Sequence, residues 1–144
     1  MFVELKIALD ANTRAAQLEQ LSSSTNNKAV LAAIVKNHNT PMCVLEKLAD
    51  RKDNEIRQLV AIHSKTPLYV LEKLTKDKND RVRIGVASNQ NTPLYLLEEL
   101  ADDFSNEVRR QVASNVNTSI YTLQTLALDR SAMVRIAAID NLKN

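Results

Sequence analysis

Leucine pairs recur along the chain at a regular interval, with three residues from the first leucine of a pair to the second. Eight residues after the second leucine, or nine in the first unit, stands an Ile or a Val, which in four of the five units is followed by an arginine. Apolar positions three or four residues apart form one face of an α-helix, so each unit predicts two short amphipathic helices. The pairs are Leu18 and Leu21, Leu45 and Leu48, Leu71 and Leu74, Leu97 and Leu100, and Leu123 and Leu126.

A threonine marks the start of each unit. Thr40, Thr66 and Thr92 each precede a proline at intervals of 26 residues, Thr118 continues the series, and Thr13 begins a divergent unit that is one residue longer. A threonine hydroxyl can accept a hydrogen bond from a free helical amide, and proline at the first helical position has no amide to leave unpaired. We therefore predict that threonine caps a first helix, helix A, for example over residues 93–102.

Asparagine is predicted to end the second helix, helix B. The chain has fourteen asparagines and one glycine. Since asparagine tolerates the left-handed backbone conformation that ends helices, we predict that it replaces glycine in these turns. The predicted ends are Asn37, Asn89, Asn115 and Asn141, with His63 as the exception.

Neither helix of a unit is long enough to bury its apolar stripe alone, so neighbouring units must stack. We predict a single all-α domain over residues 1–144, a right-handed α-solenoid (superhelix) of five roughly 26-residue two-helix repeats plus an N-terminal half repeat. The half repeat covers residues 1–12, and the full repeats cover 13–39, 40–65, 66–91, 92–117 and 118–144.

Composition excludes several kinds of site. One glycine cannot build a phosphate-binding loop, and one cysteine with two histidines is too few for a Cys-rich metal site or a disulfide framework. Cys43, His38 and His63 could in principle form a nucleophile and base, but each takes a repeat position and has no orienting group. We predict no catalytic residue, no metal, no cofactor and no enzymatic activity.

Charge and hydropathy also narrow the range of partners and locations. The formal net charge of +2 creates no strong field, and no segment approaches the roughly 20 apolar residues that span a bilayer. The first six residues include an acid and a base and lack the apolar core of a signal peptide. We expect a cytoplasmic protein without a membrane partner.

The unit beginning at Val82-Arg83 resembles the leucine-rich-repeat variant, a family grouped with HEAT and armadillo-like α-solenoids. The resemblance continues through Val86-Ala87, Asn89 and Thr92-Pro93 to the leucine pair, and it recurs in the neighbouring units over about residues 37–141. The proline that the family places after the asparagine is absent here. One family member is associated with an iron–sulfur cluster held by a Cys-rich segment, a property that a chain with a single cysteine does not share.

Arginine is the most regular polar feature. Asp77, Asp103 and Asp129 each precede an arginine of this series by six residues, whereas Arg51 stands in the acidic place before Arg57. In HEAT-like repeats an acidic loop residue and a helix arginine form a ladder between units, and the alternative is a row of guanidinium groups that binds phosphate. Under either interpretation Arg57 is predicted to be the most available. The arginines are Arg57, Arg83, Arg109 and Arg135.

Tyrosine forms a second regular feature, three residues after the threonine. Tyr69, Tyr95 and Tyr121 lie about 160° around helix A from the first core leucine, and Lys47 and Lys73 share that side. The tyrosines could pack against the neighbouring helix A as spacers. They could equally form an exposed aromatic surface, which is typical of protein interfaces.

These features predict a non-enzymatic repeat scaffold that binds a protein partner through the tyrosines and nearby lysines. Two alternatives remain. One is a nucleic-acid or phosphate-binding module, against which the weak net charge and few aromatic residues argue. The other is an accessory protein that handles a cofactor or chromophore. Apolar residues at the ends, such as Met133 and Ile136, also predict end-to-end self-association.

Overall fold

A computed structural model describes residues 2–143, and these residues form eleven α-helices and no β-strand. The first helix, α1, stands alone, and the other ten follow as five pairs of helix A and helix B. The helices are α1 (Phe2–Leu9), α2 (Ala15–Ser24), α3 (Lys28–Lys36), α4 (Met42–Leu48), α5 (Asn54–Ile62), α6 (Leu68–Thr75), α7 (Asp80–Ser88), α8 (Leu94–Ala101), α9 (Asn106–Ser114), α10 (Ile120–Leu126) and α11 (Ala132–Leu142).

The helices alternate between two layers. The odd-numbered helices, α1 and the helix B of each pair, pack closely against one another, whereas the even-numbered A helices contact each other more sparsely. Each helix A also packs against its own helix B. Because each unit contacts mainly its neighbours, the fold is an α-solenoid, which confirms the all-α repeat architecture predicted from the leucine periodicity.

One continuous apolar core runs between the layers, from Ala8 in α1 to Ala138 in α11. The leucine pairs supply the A side of this core, and residues such as Val86 and Ala87 supply the B side. Complete burial of a leucine side chain contributes about 2 kcal/mol, so the repeated leucines account for much of the stability of the stack.

Gly85, the single glycine, allows α5 and α7 to approach closely. A Cβ atom at this position would lie 2.9 Å from Ala61 Cβ and 3.0 Å from the Gln58 carbonyl oxygen. The glycine therefore serves helix packing and not a turn.

The threonines do not cap helix A as predicted. Helix A begins after the proline, and the threonine hydroxyl donates backward to the carbonyl six residues earlier, at the end of helix B. Thr40 Oγ1 lies 2.5 Å from Ile34 O, and Thr92 Oγ1 lies 2.6 Å from Val86 O. The prediction was wrong because the last turn of helix B also offers acceptors. Ile34 O and Val86 O each accept from the backbone amide three residues later and, in addition, from the threonine hydroxyl.

The predicted left-handed asparagine turns are wrong as well. No residue in 2–143, glycine included, has a positive φ, and Asn89 ends α7 with φ −72° and ψ 124°. Its Oδ1 accepts from the Asn91 amide at 2.9 Å, while its Nδ2 donates to Ala61 O at 2.7 Å and His63 O at 3.1 Å. Asparagine at this position thus bonds to the preceding unit instead of forming a left-handed turn. Asn37, Asn115 and Asn141 make equivalent bonds.

Candidate functional site

The arginine side chains join successive units. Arg83 Nε lies 2.6 Å from Asp103 Oδ2, its Nη2 lies 2.9 Å from Asp103 Oδ1, and its Nη1 donates to Asp77 O at 2.8 Å. Arg57, Arg83 and Arg109 each pair in this way with the aspartate twenty residues later, in the next unit, and also with the carbonyl six residues earlier. The other pairs are Arg57 with Asp77 and Arg109 with Asp129, both at 2.7 Å.

Arg57 is not the most available arginine, contrary to the prediction. Arg57 is only 8% exposed, and its guanidinium donates to Asp77 and to the carbonyls of Arg51 and Lys52. The prediction failed because the carboxylate partner comes from the following unit and not from the preceding loop. Arg135 has no ion pair among residues 2–143 and donates to the carbonyls of Asp129 and Arg130.

The ion pairs hold both partners in their charged forms. Burial alone would raise the pKa of the Asp103 carboxyl, but hydrogen bonds from Arg83 and from the Ser105 amide lower it below the ordinary value. The hydrogen bond to Asp103 in turn raises the pKa of Arg83. A guanidinium group bound in this way has few N–H groups left for a phosphate.

The tyrosines lie between adjacent A helices with their rings exposed. Tyr95 OH donates to the Glu72 carboxylate of the preceding unit, and the hydrogen bond to Glu46 raises the pKa of Tyr69. Each of these two rings is therefore fixed at its hydroxyl end and open to solvent along its length. This arrangement combines features of both predicted interpretations, spacer and exposed surface.

A second exposed apolar position lies directly before each tyrosine, which the sequence reasoning missed. Leucine or isoleucine stands there in the last three units. The sequence feature that could have identified this position is an apolar residue that lies outside the core stripe. We call the resulting surface the apolar strip, and its side chains belong to residues that are 44–78% exposed. The apolar strip consists of Leu68, Tyr69, Leu94, Tyr95, Ile120 and Tyr121.

The two predicted lysines lie in the last turns of two A helices, and only Lys73 shares its helix with the apolar strip. Lys73, in α6, forms an ion pair with Asp50 of the preceding unit, and both side chains are exposed. Lys47 occupies the equivalent position in α4, is exposed, and makes no ion pair among residues 2–143. The structure thus brings both lysines to the side of the solenoid that carries the apolar strip.

A solved structure described as a leucine-rich repeat variant with a novel repetitive protein structural motif matches 95% of this chain, with a TM-score of 0.72 and 26% sequence identity. The chain therefore shares the repetitive helical fold of that leucine-rich repeat variant. It spans about half of the matched chain, 54% of its length. No protein-family model and no curated protein matches the sequence.

The last helix described, α11, exposes an apolar stripe. Met133, Ile136, Ile139 and Leu142 recur every three residues along α11 and are all exposed. At the other end, Phe2 and Leu9 are exposed, whereas Leu5 packs against the core. The residues predicted to mediate end-to-end association therefore lie on the surface at both ends.

The histidines and the cysteine occupy structural or surface positions. His63 Nδ1 accepts from the Lys65 amide at 3.1 Å, and Nε2 lies 3.4 Å from Asn37 O, so the ring substitutes for the asparagine of other units. Burial lowers the pKa of His63. Cys43 and His38 are exposed, and residues 2–143 contain no group of three or more metal-ligating side chains. None of the helices described has the length and apolar character required to cross a membrane.

Proposed function

We propose that this chain is a non-enzymatic repeat scaffold that binds a protein partner through the apolar strip. The observation that carries the proposal is the repetition of an exposed aliphatic and tyrosine pair in three successive units. Isolated exposed apolar residues are common on any protein, whereas a contiguous row of them is typical of an interaction surface. Tyrosine is also among the residues that contribute most to binding energy at interfaces.

The way in which the tyrosines are held supports this proposal. Hydrogen bonds to Glu46 and Glu72 fix the rings of Tyr69 and Tyr95 before any partner arrives. A side chain that is already ordered loses less conformational entropy on binding, so each contact contributes more to affinity. The strip also lies on helices rather than on mobile loops, which gives a partner a rigid surface.

The phosphate-binding alternative has less support. Arg57, Arg83 and Arg109 each direct two guanidinium nitrogens at an aspartate carboxylate. A phosphate would have to displace those carboxylates and leave them half-buried without a partner, at a cost of several kcal/mol. We therefore assign the arginines to the stability of the stack. We further propose a cytoplasmic location, with which a lone exposed thiol at Cys43 is compatible.

Affinity capture from the source cell, followed by mass spectrometry, tests the proposal. The bait is the intact chain, compared with a double variant of the strip, Leu94→Ser with Tyr95→Ser. Phe104→Ser is the matched control, since Phe104 lies outside the strip and is 96% exposed. We expect the wild type and the control to enrich the same partner, and the double variant to retain about a tenth or less of it, because about 1.4 kcal/mol of lost binding corresponds to tenfold.

The melting temperature decides between loss of a binding surface and loss of the fold. We expect the double variant to melt within a few degrees of the wild type, because both side chains lie outside the core. Undiminished capture by the double variant would contradict the proposal, and so would a large drop in melting temperature.

A further inference from the structure

Equivalent grooves form where the loop between helix A and helix B of one unit faces the next unit, and their charges differ. The groove between α4 and α6, which we call the basic groove, has a volume of about 370 Å³ and is lined by five cationic side chains and two carboxylates. The equivalent groove between α8 and α10, about 660 Å³, is lined by two cationic side chains and three carboxylates. The same backbone arrangement is therefore positive in one place and negative in the other. The cations of the basic groove are Arg51, Arg57, Lys73, Lys76 and Lys78.

Only some of these cations are available to a ligand. Arg57 is bound to Asp77, and Lys73 is paired with Asp50. Lys76 and Lys78 are exposed and make no ion pair within residues 2–143. Among residues 2–143, the guanidinium of Arg51 makes no ion pair and donates to a neutral oxygen, Asn26 Oδ1, at 2.8 Å. The uncompensated positive charge of the groove thus lies on Lys76, Lys78 and Arg51.

We propose that the basic groove binds a short acidic segment, rich in Asp and Glu, of the protein partner. The available charge is mostly lysine, whose ammonium group acts as a flexible point charge and attracts carboxylates without a fixed geometry. Bidentate recognition of a phosphate would use arginine, and the guanidinium of Arg57 is already occupied.

Charge along the stack explains why the segment is short and is not a nucleic acid. The units that follow carry a run of acidic residues and no basic residue over positions 98–107. A long polyanion that followed the A helices would be repelled there, whereas a segment confined to the basic groove would not. The acidic residues are Glu98, Glu99, Asp102, Asp103 and Glu107.

The basic groove and part of the apolar strip lie along the same helix, α6. The inference rests on the proposed function because it assigns both surfaces to one partner. Leu68 and Tyr69 stand at the start of α6, and Lys73 and Lys76 stand in its last turn and just beyond. A rise of 1.5 Å per residue separates Leu68 from Lys76 by about 12 Å. A partner with an apolar patch beside an acidic segment would therefore contact both surfaces along one helix.

Fluorescence anisotropy with a labelled twelve-residue peptide that contains six glutamates tests the inference. The intact protein is compared with Lys76→Glu combined with Lys78→Glu. The matched control is Lys6→Glu combined with Lys36→Glu, which changes the net charge equally at exposed positions outside the groove. We expect the groove variant to bind at least about tenfold more weakly and the control to stay within about twofold. We also expect the wild-type affinity to fall as salt rises.

Three outcomes would overturn the inference. The first is no binding of the peptide by the wild type, and the second is an equal loss in the groove variant and the control. The third is tighter binding of a twelve-nucleotide single-stranded RNA than of the peptide, lost in the groove variant, because it would identify a nucleic-acid site.

Failure of this inference is distinguishable from failure of the proposed function. If the peptide does not bind but the strip variant loses the captured partner, only the acidic segment is excluded. If the Leu94→Ser, Tyr95→Ser variant captures as much partner as the wild type and the groove variant loses peptide binding, the basic groove remains a binding site. The apolar strip is then excluded as the partner-binding surface.

Discussion

At the scale of single residues, the polar contacts between units come from side chains at fixed positions of the repeat. Arg57, Arg83 and Arg109 reach forward to an aspartate, and asparagines such as Asn89 and Asn115 reach back to carbonyls. These groups are largely buried, so a lost partner would leave a desolvated donor or acceptor. They make the register between units specific, while the apolar core supplies most of the stabilisation.

We expect Arg83→Ala to lower the free energy of unfolding by about 2–4 kcal/mol, because it leaves the Asp103 carboxylate without its charged partner. Urea denaturation followed by circular dichroism measures the change. Arg81→Ala is the control, since Arg81 lies two residues away on the same helix with an exposed side chain. Equal stability of the two variants would show that the ion pair does not hold the units together.

Acid should weaken the stack through the same carboxylates. The folded pKa of Asp103 lies below its ordinary value of 3.8, so its contribution is complete above about pH 4 and is lost as the pH falls through the folded pKa. Urea unfolding between pH 7 and pH 3 should show this loss in the wild type. In Asp103→Asn, which cannot ionise, the decline below pH 4 should be shallower than in Asp80→Asn. Parallel curves for the two variants would refute the assignment.

At the scale of helices, the close packing of successive B helices sets the geometry of the solenoid. The contact between α5 and α7 depends on Gly85, whose absent side chain leaves room for Ala61 and the Gln58 carbonyl. Glycine in the middle of a helix ordinarily lowers stability relative to alanine by about 0.5–1 kcal/mol. Its presence in α7 therefore reflects tertiary packing that outweighs helix propensity.

We expect Gly85→Ala to destabilise the protein by about 1–2 kcal/mol despite the higher helix propensity of alanine, because the added methyl group overpacks the α5–α7 contact. Gln111→Ala, at the equivalent position of α9, should change stability by less than about 0.5 kcal/mol. Thermal unfolding monitored at 222 nm compares the two. Stabilisation by Gly85→Ala would mean that the helices can separate without cost.

The apolar periodicity located the helices well because the leucine stripe depends only on local spacing. Helix A predicted over residues 93–102 occupies Leu94–Ala101. The roles of Thr92 and Asn89 were mispredicted because both side chains bond outside their own helix. A single sequence shows which residues repeat, but the partner of a polar side chain depends on how adjacent units are placed.

At the scale of the whole molecule, the two sides and the two ends of the solenoid differ in character. The A helices carry the apolar strip and the basic groove, and α11 carries a separate apolar stripe. The regular series of tyrosines was predictable from spacing, whereas the exposure of Leu68, Leu94 and Ile120 was not. The pattern of one helix does not show which of its apolar residues a neighbouring unit covers. The proximity of Lys76 and Lys78 to Arg51 could not be read from the sequence, because it arises from the stacking of adjacent units.

We expect the apolar stripe of α11 to support self-association at high protein concentration. Static light scattering should give a mass above that of the monomer at about 200 µM, and Met133→Glu combined with Ile136→Glu should restore the monomer mass by placing charge on the stripe. Phe104→Glu, at an exposed position outside that helix, should have no effect. A monomeric mass for the wild type at every concentration would exclude this association.

The central claim, that the apolar strip is the binding surface, is tested most directly by site-specific photo-crosslinking. Benzoylphenylalanine replaces Tyr95 in one protein and Asn54, an exposed residue at the start of α5, in another. Both are irradiated with the captured partner and resolved by mass spectrometry. We predict a crosslink to the partner from position 95 and none from position 54. A crosslink from position 54 with none from position 95 would contradict the account.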